Sequence, residues 1–451
     1  MGPTSDTIVA PATPEGSSAL AVIRISGKDT GRVALELFGS PPPPRTPRRG
    51  DYRDRAGAVV DDVLATFFPE PRSYTGEDVL EISCHGNPYI VQRILQDLAA
   101  RGCRPAEPGE FTLRAFLHRR MDLSQAEAVM DVISARSARA LAAAQRQLRG
   151  GLGKQLQEVS ERLLGLLATV EAQIDFPDED LPPEDRASLQ AGLDSIRQGT
   201  EQLLATRRYG DLLRDGIRAV LVGGPNAGKS SLLNRLVGRE RALVSPEPGT
   251  TRDFIEERVA IGPHGFRLID TAGLNPAPGA LESLGMAKTR QCIEESDMVI
   301  LVLDATRPAL PLAPELRAAL VPGRALVVLN KLDLQPAAAG SAPLPEWPTV
   351  AVSALTGDGL LALQEKMVLL ADSFQGDGGA DGIAINARHA EALTRARDAL
   401  VRARGHLAGH GPAELLASDL REALAAFGDI SGHLDNEQVL DRLFASFCIG
   451  K

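Results

Sequence analysis

Cysteines are few and widely spaced in this sequence. The 451 residues contain only Cys84, Cys103, Cys292 and Cys448, and no two of them form a CxxC pair. Such scattered cysteines favour free thiols in a reducing compartment over a disulfide framework. We therefore expect a cytoplasmic protein.

Long apolar runs and an excess of positive charge are also absent. No apolar run reaches the length of a membrane span, and the first residues, MGPTSDTIVAPATPEG, lack the pattern of a signal peptide, so we expect no membrane partner. The match of MGPTSD to the myristoylation pattern is too loose to outweigh chance. The net charge is −10, so contact with nucleic acid requires a local patch or a partner protein.

The order of sequence patterns predicts a multidomain chain that combines α/β and all-α parts. Residues 1–118 are typical of an α/β domain, and 216–371 alternate strands and helices. Helical patterns over 119–215 and 372–451 predict one helical domain in two pieces, with the α/β module inserted between them. Within this scheme, 40–55 is expected to be a surface loop, 56–68 two strands around an Asp-Asp turn, and Ser124 with Glu127 a helix capping box.

The segment GGPNAGKSS carries the strongest motif. Gly223, Gly228, Lys229 and Ser230 fit GxxxxGK[ST] between the apolar strand IRAVLV and the helix SLLNRLV. Its glycines allow the loop to wrap a phosphate closely with backbone N–H groups pointing inward. The lysine then reaches the β/γ-phosphates, and Ser230 offers a hydroxyl to Mg²⁺.

Three further motifs follow in the order found in small GTPases. DTAG places Asp270 near the Mg²⁺ shell, and NKLD places Asp333 where a carboxylate can pair with guanine N1 and N2, which favours GTP over ATP. VAVSAL supplies a backbone N–H for guanine O6. The predicted GTP site comprises Asn226, Ala227, Gly228, Lys229, Ser230, Ser231, Ser245, Glu247, Pro248, Gly249, Thr250, Thr251, Asp270, Thr271, Ala272, Gly273, Asn330, Lys331, Asp333, Ser353, Ala354 and Leu355.

The segment between these motifs offers the remaining catalytic groups. In PGTTRD, Thr251 is the candidate Mg²⁺ ligand beside Ser230, although Thr250 and Thr251 also suit an ordinary turn. Leu274 stands where Ras-type GTPases have a water-orienting Gln, so another residue must position the water. Glu282 is the nearest acid downstream, although its spacing alone favours a solvated helix face.

The motifs together resemble the tRNA-modification GTPase family MnmE (TrmE). NAGKSSLLN, PGTTRD, DTAGL, NKLD and the terminal FCIGK carry the resemblance, as do VIRISG, EDVLEISCHGN and GEFTLRAFLHRRMDLSQAEAVMD, so it covers essentially the whole chain. It implies an N-terminal tetrahydrofolate-binding domain, a helical domain and an inserted Ras-like G domain. It also implies a homodimer that forms a heterotetramer with an FAD-containing MnmG-type protein. Together they would place an aminomethyl or carboxymethylaminomethyl group on carbon 5 of the tRNA wobble uridine.

The resemblance also implies roles for individual residues. K⁺ would replace an arginine finger, held by Asn226, Ser245, the carbonyl of Glu247, and Thr250, while Glu282 would orient the attacking water. A 5,10-methylene- or 5-formyl-tetrahydrofolate would supply the one-carbon unit at a site built from Arg24, Glu81, Arg120 and Lys451. Cys448 joins Lys229 and Glu282 in the set of candidate catalytic residues. Without the family, Arg24 and Glu81 also fit a cross-strand charge pair, and Phe447 and Ile449 a simple helix anchor.

Two departures from the family pattern affect these expectations. Arg120 stands where the family usually has Lys, and Pro246 and Pro248 flank the predicted cation loop, where they remove N–H donors but keep carbonyls. A ribosome-assembly GTPase of the same superfamily is the alternative function. The single G domain and the absence of a basic RNA-binding module favour the tRNA-modification function.

Overall fold

The structure is a computed structural model of the chain, and the described residues form two compact units. The described residues are 6–175, 183–238, 255–271, 290–307, 317–318, 320–340, 343–374, 383–432, 443–445, 447 and 450. The first unit draws on 1–130, 148–158 and 427–451, and the second on 131–147 and 159–426. The four-part domain division from sequence remains a prediction.

A six-stranded sheet forms the centre of the first unit, in the order β3-β4-β5-β2-β1-β6. All neighbouring strands are antiparallel except β1 and β6. One face of the sheet packs against α1 and α2 around Ile23, Leu80 and Ile82, which are fully buried. The elements are β1 (Ile8–Pro11), β2 (Leu20–Ser26), α1 (Thr30–Phe38), β3 (Arg48–Arg53), β4 (Val59–Phe68), β5 (Val79–His85), α2 (Pro88–Ala100), β6 (Arg104–Pro105) and α3 (Glu110–Leu117).

Two sequence expectations for this sheet are wrong. Residues 40–55 are not entirely loop, because Arg48–Arg53 forms the edge strand β3, whose Tyr52 is buried and donates a 2.8 Å hydrogen bond to Asp97. The Asp-Asp pair is not a turn but lies inside β4. Asp61 contacts His85 and Asp62 contacts Arg49, so cross-strand partners compensate the low strand propensity of aspartate.

The capping box expected at Ser124 is shifted by two residues. The Oδ1 of Asp122 accepts hydrogen bonds from the Gln125 N–H and the Ser124 hydroxyl, while the Gln125 side chain accepts from the Asp122 N–H. An aspartate can cap as well as a serine, and a glutamine three residues on completes the reciprocal pair. The helix itself is confirmed as α4 (Leu123–Ser134).

The second unit contains a second six-stranded sheet, in the order β12-β11-β10-β7-β9-β8. Only β8 and β9 are antiparallel, so the carboxyl ends of the other strands meet at one edge, where open α/β sheets bind their ligands. Ile300 and Val328 belong to a core on one face of this sheet, and Val299 and Val327 to a core on the other. The strands are β7 (Ile217–Val222), β8 (Ile255–Ile261), β9 (His264–Asp270), β10 (Met298–Asp304), β11 (Ala325–Asn330) and β12 (Thr349–Ala351).

Long helices account for most of the remaining described residues. They confirm the predicted combination of α/β and helical parts. The helices are α5 (Ala138–Leu148), α6 (Gly151–Asp175), α7 (Pro183–Ala205), α8 (Arg207–Asp215), α9 (Lys229–Gly238), α10 (Leu360–Ser373), α11 (Ala387–Ala408) and α12 (Ala413–Ser431). Helix α11 begins at an Asn386 cap, and its buried alanines and leucines recur at helical spacing.

Candidate nucleotide site and N-terminal polar site

The phosphate-loop motif lies between β7 and α9, as the sequence predicts. Gly223 has φ +150° and Gly228 has φ +89°, both in the region that favours glycine. A Cβ on Gly223 would lie 2.2 Å from the carbonyl oxygen of Val302, and one on Gly228 would lie 2.2 Å from Asn330 Nδ2. These two glycines are therefore required by close neighbours as well as by backbone angle.

Lys229 closes the loop from inside. Its Nζ donates hydrogen bonds to the carbonyl oxygens of Gly223 at 2.9 Å and Gly224 at 3.0 Å, and the residue is only 6% exposed. Burial lowers the pKa of Lys229, and the nearby carboxylate of Asp270 opposes that shift. A buried lysine at the start of a helix places positive charge where helix N–H groups also favour an anion.

Ser230 and Asp270 come together at the edge of the sheet. The Ser230 hydroxyl hydrogen-bonds to Asp270 Oδ2, and the following Thr271 hydroxyl donates to the carbonyl of Leu221 at 2.8 Å. Asp270 is 1% exposed. A hydroxyl can ligate Mg²⁺ directly, and a carboxylate beside it can accept a hydrogen bond from a Mg²⁺-bound water, so the pair fits the metal predicted from sequence.

Asn330 joins the phosphate loop to the loop after β12. Its Nδ2 donates to the carbonyl of Ala227 at 2.9 Å, and its Oδ1 accepts from the N–H of Ala354 at 3.0 Å. The residue is 2% exposed, so both bonds are shielded from water. Nearby, Asp333 Oδ1 accepts a 2.5 Å hydrogen bond from the Ser353 hydroxyl. One asparagine thus fixes the spacing of the two loops predicted to hold phosphate and guanine.

The sequence missed Asp304 as part of this site. It ends β10, and its Oδ2 accepts a 2.7 Å hydrogen bond from Lys331 Nζ, whose backbone has φ +70°. Although burial raises the pKa of Asp304, hydrogen bonds from Lys331 and Thr306 outweigh that effect and hold the pKa at about 2. The signal was available, because an Asp at the end of an apolar strand in this sheet lies at the binding edge.

Eleven predicted site residues lie outside the described residues. They are Ser245, Glu247, Pro248, Gly249, Thr250, Thr251, Ala272, Gly273, Glu282, Cys448 and Lys451. Their assigned roles remain predictions. Of the other predicted residues, Asn226 adopts φ +61° in the phosphate loop, Ser231 lies in the first turn of α9, and Leu355 is 78% exposed after β12.

Arg24 and Glu81 form the centre of the N-terminal polar site. They are direct neighbours on β2 and β5, and Glu81 Oε1 accepts from Arg24 Nε at 2.9 Å and contacts Nη2 at 2.8 Å. The Arg24 guanidinium also lies 5.2 Å from the ring centroid of Tyr74 and 5.7 Å from that of Phe111. Arg24 and Glu81 therefore form the cross-strand charge pair that the sequence allows, and the two aromatic rings flank its guanidinium.

The end of the chain reaches this pair. Arg24 Nη1 donates a 3.3 Å hydrogen bond to the carbonyl oxygen of Gly450, and a Cβ on Gly450 would lie 2.0 Å from the carbonyl oxygen of Pro11. Phe447 is 5% exposed and packs against Phe444, as expected for an anchor, whereas Ile449, the other predicted anchor, lies outside the described residues. Arg120 is exposed, and its side chain lies near Gly76.

Comparison with known proteins settles the family. The family model for the MnmE helical domain matches residues 123–448, and that for the GTP-binding protein TrmE N-terminus matches 7–120. The tRNA modification GTPase MnmE of Opitutus terrae is 58% identical over 100% of both chains. This chain belongs to the MnmE family.

A second MnmE relative agrees with the family assignment. The tRNA modification GTPase MnmE of Akkermansia muciniphila is 44% identical over 99% of both chains. Among solved structures, the G domain of the T. maritima FeoB iron transporter shares 27% identity over 34% of this chain and 98% of that chain, with a TM-score of 0.25. Among the described residues of this MnmE-family chain, none of the helices combines the length and the apolar character that a membrane span requires.

Proposed function

We propose that this chain hydrolyses GTP and couples hydrolysis to modification of the wobble uridine in tRNA. The observation that best supports GTP hydrolysis is the pair of hydrogen bonds made by Asn330. They connect the phosphate loop at Ala227 to the predicted guanine loop at Ala354. Such a double anchor sets the distance between a phosphate cradle and a base pocket. Preorganised donors of this kind are the main source of catalysis in phosphoryl transfer.

Each nucleotide-site residue has a distinct task in this proposal. Lys229 donates to the terminal phosphates, exchanging its loop carbonyl partners for phosphate oxygens. Asp333 accepts from guanine, with Ser353 holding its carboxylate in place. Glu282 positions the attacking water and accepts its proton, because Leu274 cannot do so.

Mg²⁺ and K⁺ are the proposed cations. Ser230 and Thr251 would ligate Mg²⁺, with Asp270 accepting a hydrogen bond in its outer shell. Asn226, Ser245, the carbonyl of Glu247, and Thr250 would hold K⁺. When bound, K⁺ supplies the positive charge that an arginine finger supplies elsewhere.

The N-terminal polar site is proposed to bind tetrahydrofolate. Glu81 can accept from the guanidine-like edge of a pterin, with Arg24 orienting its carboxylate, and Arg120 and Lys451 can hold the anionic glutamate tail. The hydrogen bond from Arg24 to the Gly450 carbonyl supports a role for residues 448–451 in the N-terminal polar site. We propose that Cys448 acts as a nucleophile toward the uridine or its adduct.

The proposed assembly follows from the same family membership. The chain would dimerise through its N-terminal domain and transiently through its G domains, and would bind a flavoprotein that carries the FAD. The domains would be a folate-binding domain over 1–118, a helical domain over 119–215 and 372–451, and a G domain over 216–371. The cytoplasm is the proposed compartment.

Replacing K⁺ with Na⁺ tests the proposed GTP hydrolysis, and deleting residues 448–451 tests the proposed uridine modification. GTP hydrolysis should be faster in K⁺ than in Na⁺, because Na⁺ is too small for a ring of oxygen ligands. Equal rates in both salts would rule out the cation assignment. Deleting 448–451 should abolish uridine modification and leave GTP hydrolysis intact, whereas full modification by the deleted chain would remove the tail from the site.

A further inference from the structure

Strands β8 and β9 form a hairpin that connects the segment containing PGTTRD to the segment containing DTAG. β8 begins directly after the segment containing PGTTRD, and β9 ends at Asp270 directly before the rest of DTAG and Glu282. Both flanks of the hairpin therefore lead to the nucleotide end of the sheet. Its turn lies at the opposite end, about 20 Å away for seven strand residues.

The hairpin is held firmly at the nucleotide end. Asp270 pairs in register with Leu221 of β7 and contacts the Ser230 hydroxyl of the phosphate loop. Between its two strands, Arg267 forms a bidentate pair with Glu256, at 2.7 and 3.0 Å. A displacement at Asp270 is thus expected to move the strands together rather than to bend one of them.

The turn of the hairpin contacts residues outside the sheet. His264 Nε2 lies 2.9 Å from Asp372 Oδ1 in the last turn of α10, and the same oxygen accepts from Arg139 Nη2 of α5 at 2.8 Å. The N–H of Arg139 also donates to the carbonyl of Pro263 at 3.1 Å. One carboxylate therefore joins the hairpin to helix α5, within a single compact unit.

The turn is tightly packed, and one side of the strands faces an open groove. Gly262 has φ +58°, and a Cβ there would lie 2.8 Å from Val368 of α10. The groove is open to solvent and is lined in part by Ser137, Asp215 and Ala260. A hairpin that is paired with β7 and has a firm contact at each end can carry a displacement from Asp270 to its turn.

We propose that the β8–β9 hairpin links nucleotide state to helix α5, with Asp372 as the positioning residue at the junction with His264 and Arg139. This inference rests on the proposed GTPase function and extends it by naming the connection. Helix α5 leads along the chain into 148–158, which belongs to the first unit, so movement of α5 is the expected output. Such coupling is reciprocal: breaking the junction must change the relative affinity for the two nucleotide states.

The test is the ratio of the dissociation constants for GDP and for a non-hydrolysable GTP analogue, measured on the full chain. Asp372→Asn removes the shared charge, and Asp372 is 40% exposed, so folding should survive. Arg139→Gln is the second variant. Glu346→Gln is the matched control, because its pair with Arg317 is an exposed ion pair remote in sequence from the hairpin.

We expect the ratio to change by about fivefold or more in Asp372→Asn or Arg139→Gln and to stay unchanged in the control. A purely structural contact would alter both dissociation constants equally and leave the ratio as it was. A ratio within about twofold of wild type in both variants would overturn the hairpin link. A wild-type chain that binds neither nucleotide would instead contradict the proposed GTPase function.

Discussion

Replacing Asp333 with Asn tests how the chain selects guanine. The side chain of Asp333 is exposed and is oriented by the 2.5 Å hydrogen bond from the Ser353 hydroxyl, so it can be changed without disturbing the core. A carboxylate can accept from both guanine N1–H and the N2 amino group, and each bond to a charged group contributes about 1.5–3 kcal/mol. The substituted amide keeps one acceptor and turns an NH₂ donor toward the other guanine donor.

At least one of these bonds is then lost. GTP affinity should fall by about 2–4 kcal/mol, which is roughly 30- to 1000-fold in the dissociation constant. Xanthosine triphosphate carries a carbonyl where guanine carries the amino group, so the same variant should bind it more tightly than wild type does. Isothermal titration calorimetry with both nucleotides measures these changes.

Asp358→Asn is the matched control for this substitution. Asp358 lies in the loop after β12 and accepts a 2.7 Å hydrogen bond from the Thr356 hydroxyl of that loop. It has no predicted contact with the base. It should leave the preference for GTP unchanged. If Asp333→Asn binds GTP within about threefold of wild type and gains nothing for xanthosine triphosphate, the assigned guanine contact is wrong.

Three further changes test other parts of the site. Gly228→Ala should abolish GTP binding in a filter assay, because its Cβ would meet Asn330 Nδ2 at 2.2 Å, whereas Gly224→Ala, with nothing within 4 Å, should bind normally. Glu282→Ala should bind GTP and lose turnover in a phosphate-release assay; normal turnover would place the water elsewhere. The pKa of Asp304 is lowered from 3.8 to about 2, so its stabilising contribution is complete above about pH 4 and is lost as the pH falls toward 2. In Asp304→Asn, the free energy of unfolding should not show this loss between about pH 4 and about pH 2. The same decrease in the variant as in the wild type would contradict the lowered pKa of Asp304.

Local motifs allowed much of the nucleotide site to be predicted. The phosphate loop needs only neighbouring residues and a strand and helix on either side, and these are visible in the sequence around Gly223 and Lys229. The same applies to α11, whose apolar residues recur at helical spacing. The capping pair at Asp122 and Gln125 was missed because several polar residues at this helix start could serve as caps.

Long-range contacts could not be read in this way. Gly450 lies 426 residues from Arg24, and no local pattern indicates that their atoms meet. Tyr74 and Phe111 next to the guanidinium were hidden for the same reason. Strand β3 was obscured by the prolines that precede it and by its own arginines, because its conformation depends on pairing with β4 rather than on its own propensity.

The most direct test of the account is mass spectrometry of wobble nucleosides in tRNA from cells that lack this chain. Complementation with the wild-type chain should restore uridines with an aminomethyl-type group on carbon 5. Complementation with Lys229→Ala should leave them unmodified, because the phosphates lose their buried cation. Equal modification in the deleted strain, the wild-type complement and the Lys229→Ala complement would contradict the claim that GTP hydrolysis by this chain is coupled to uridine modification.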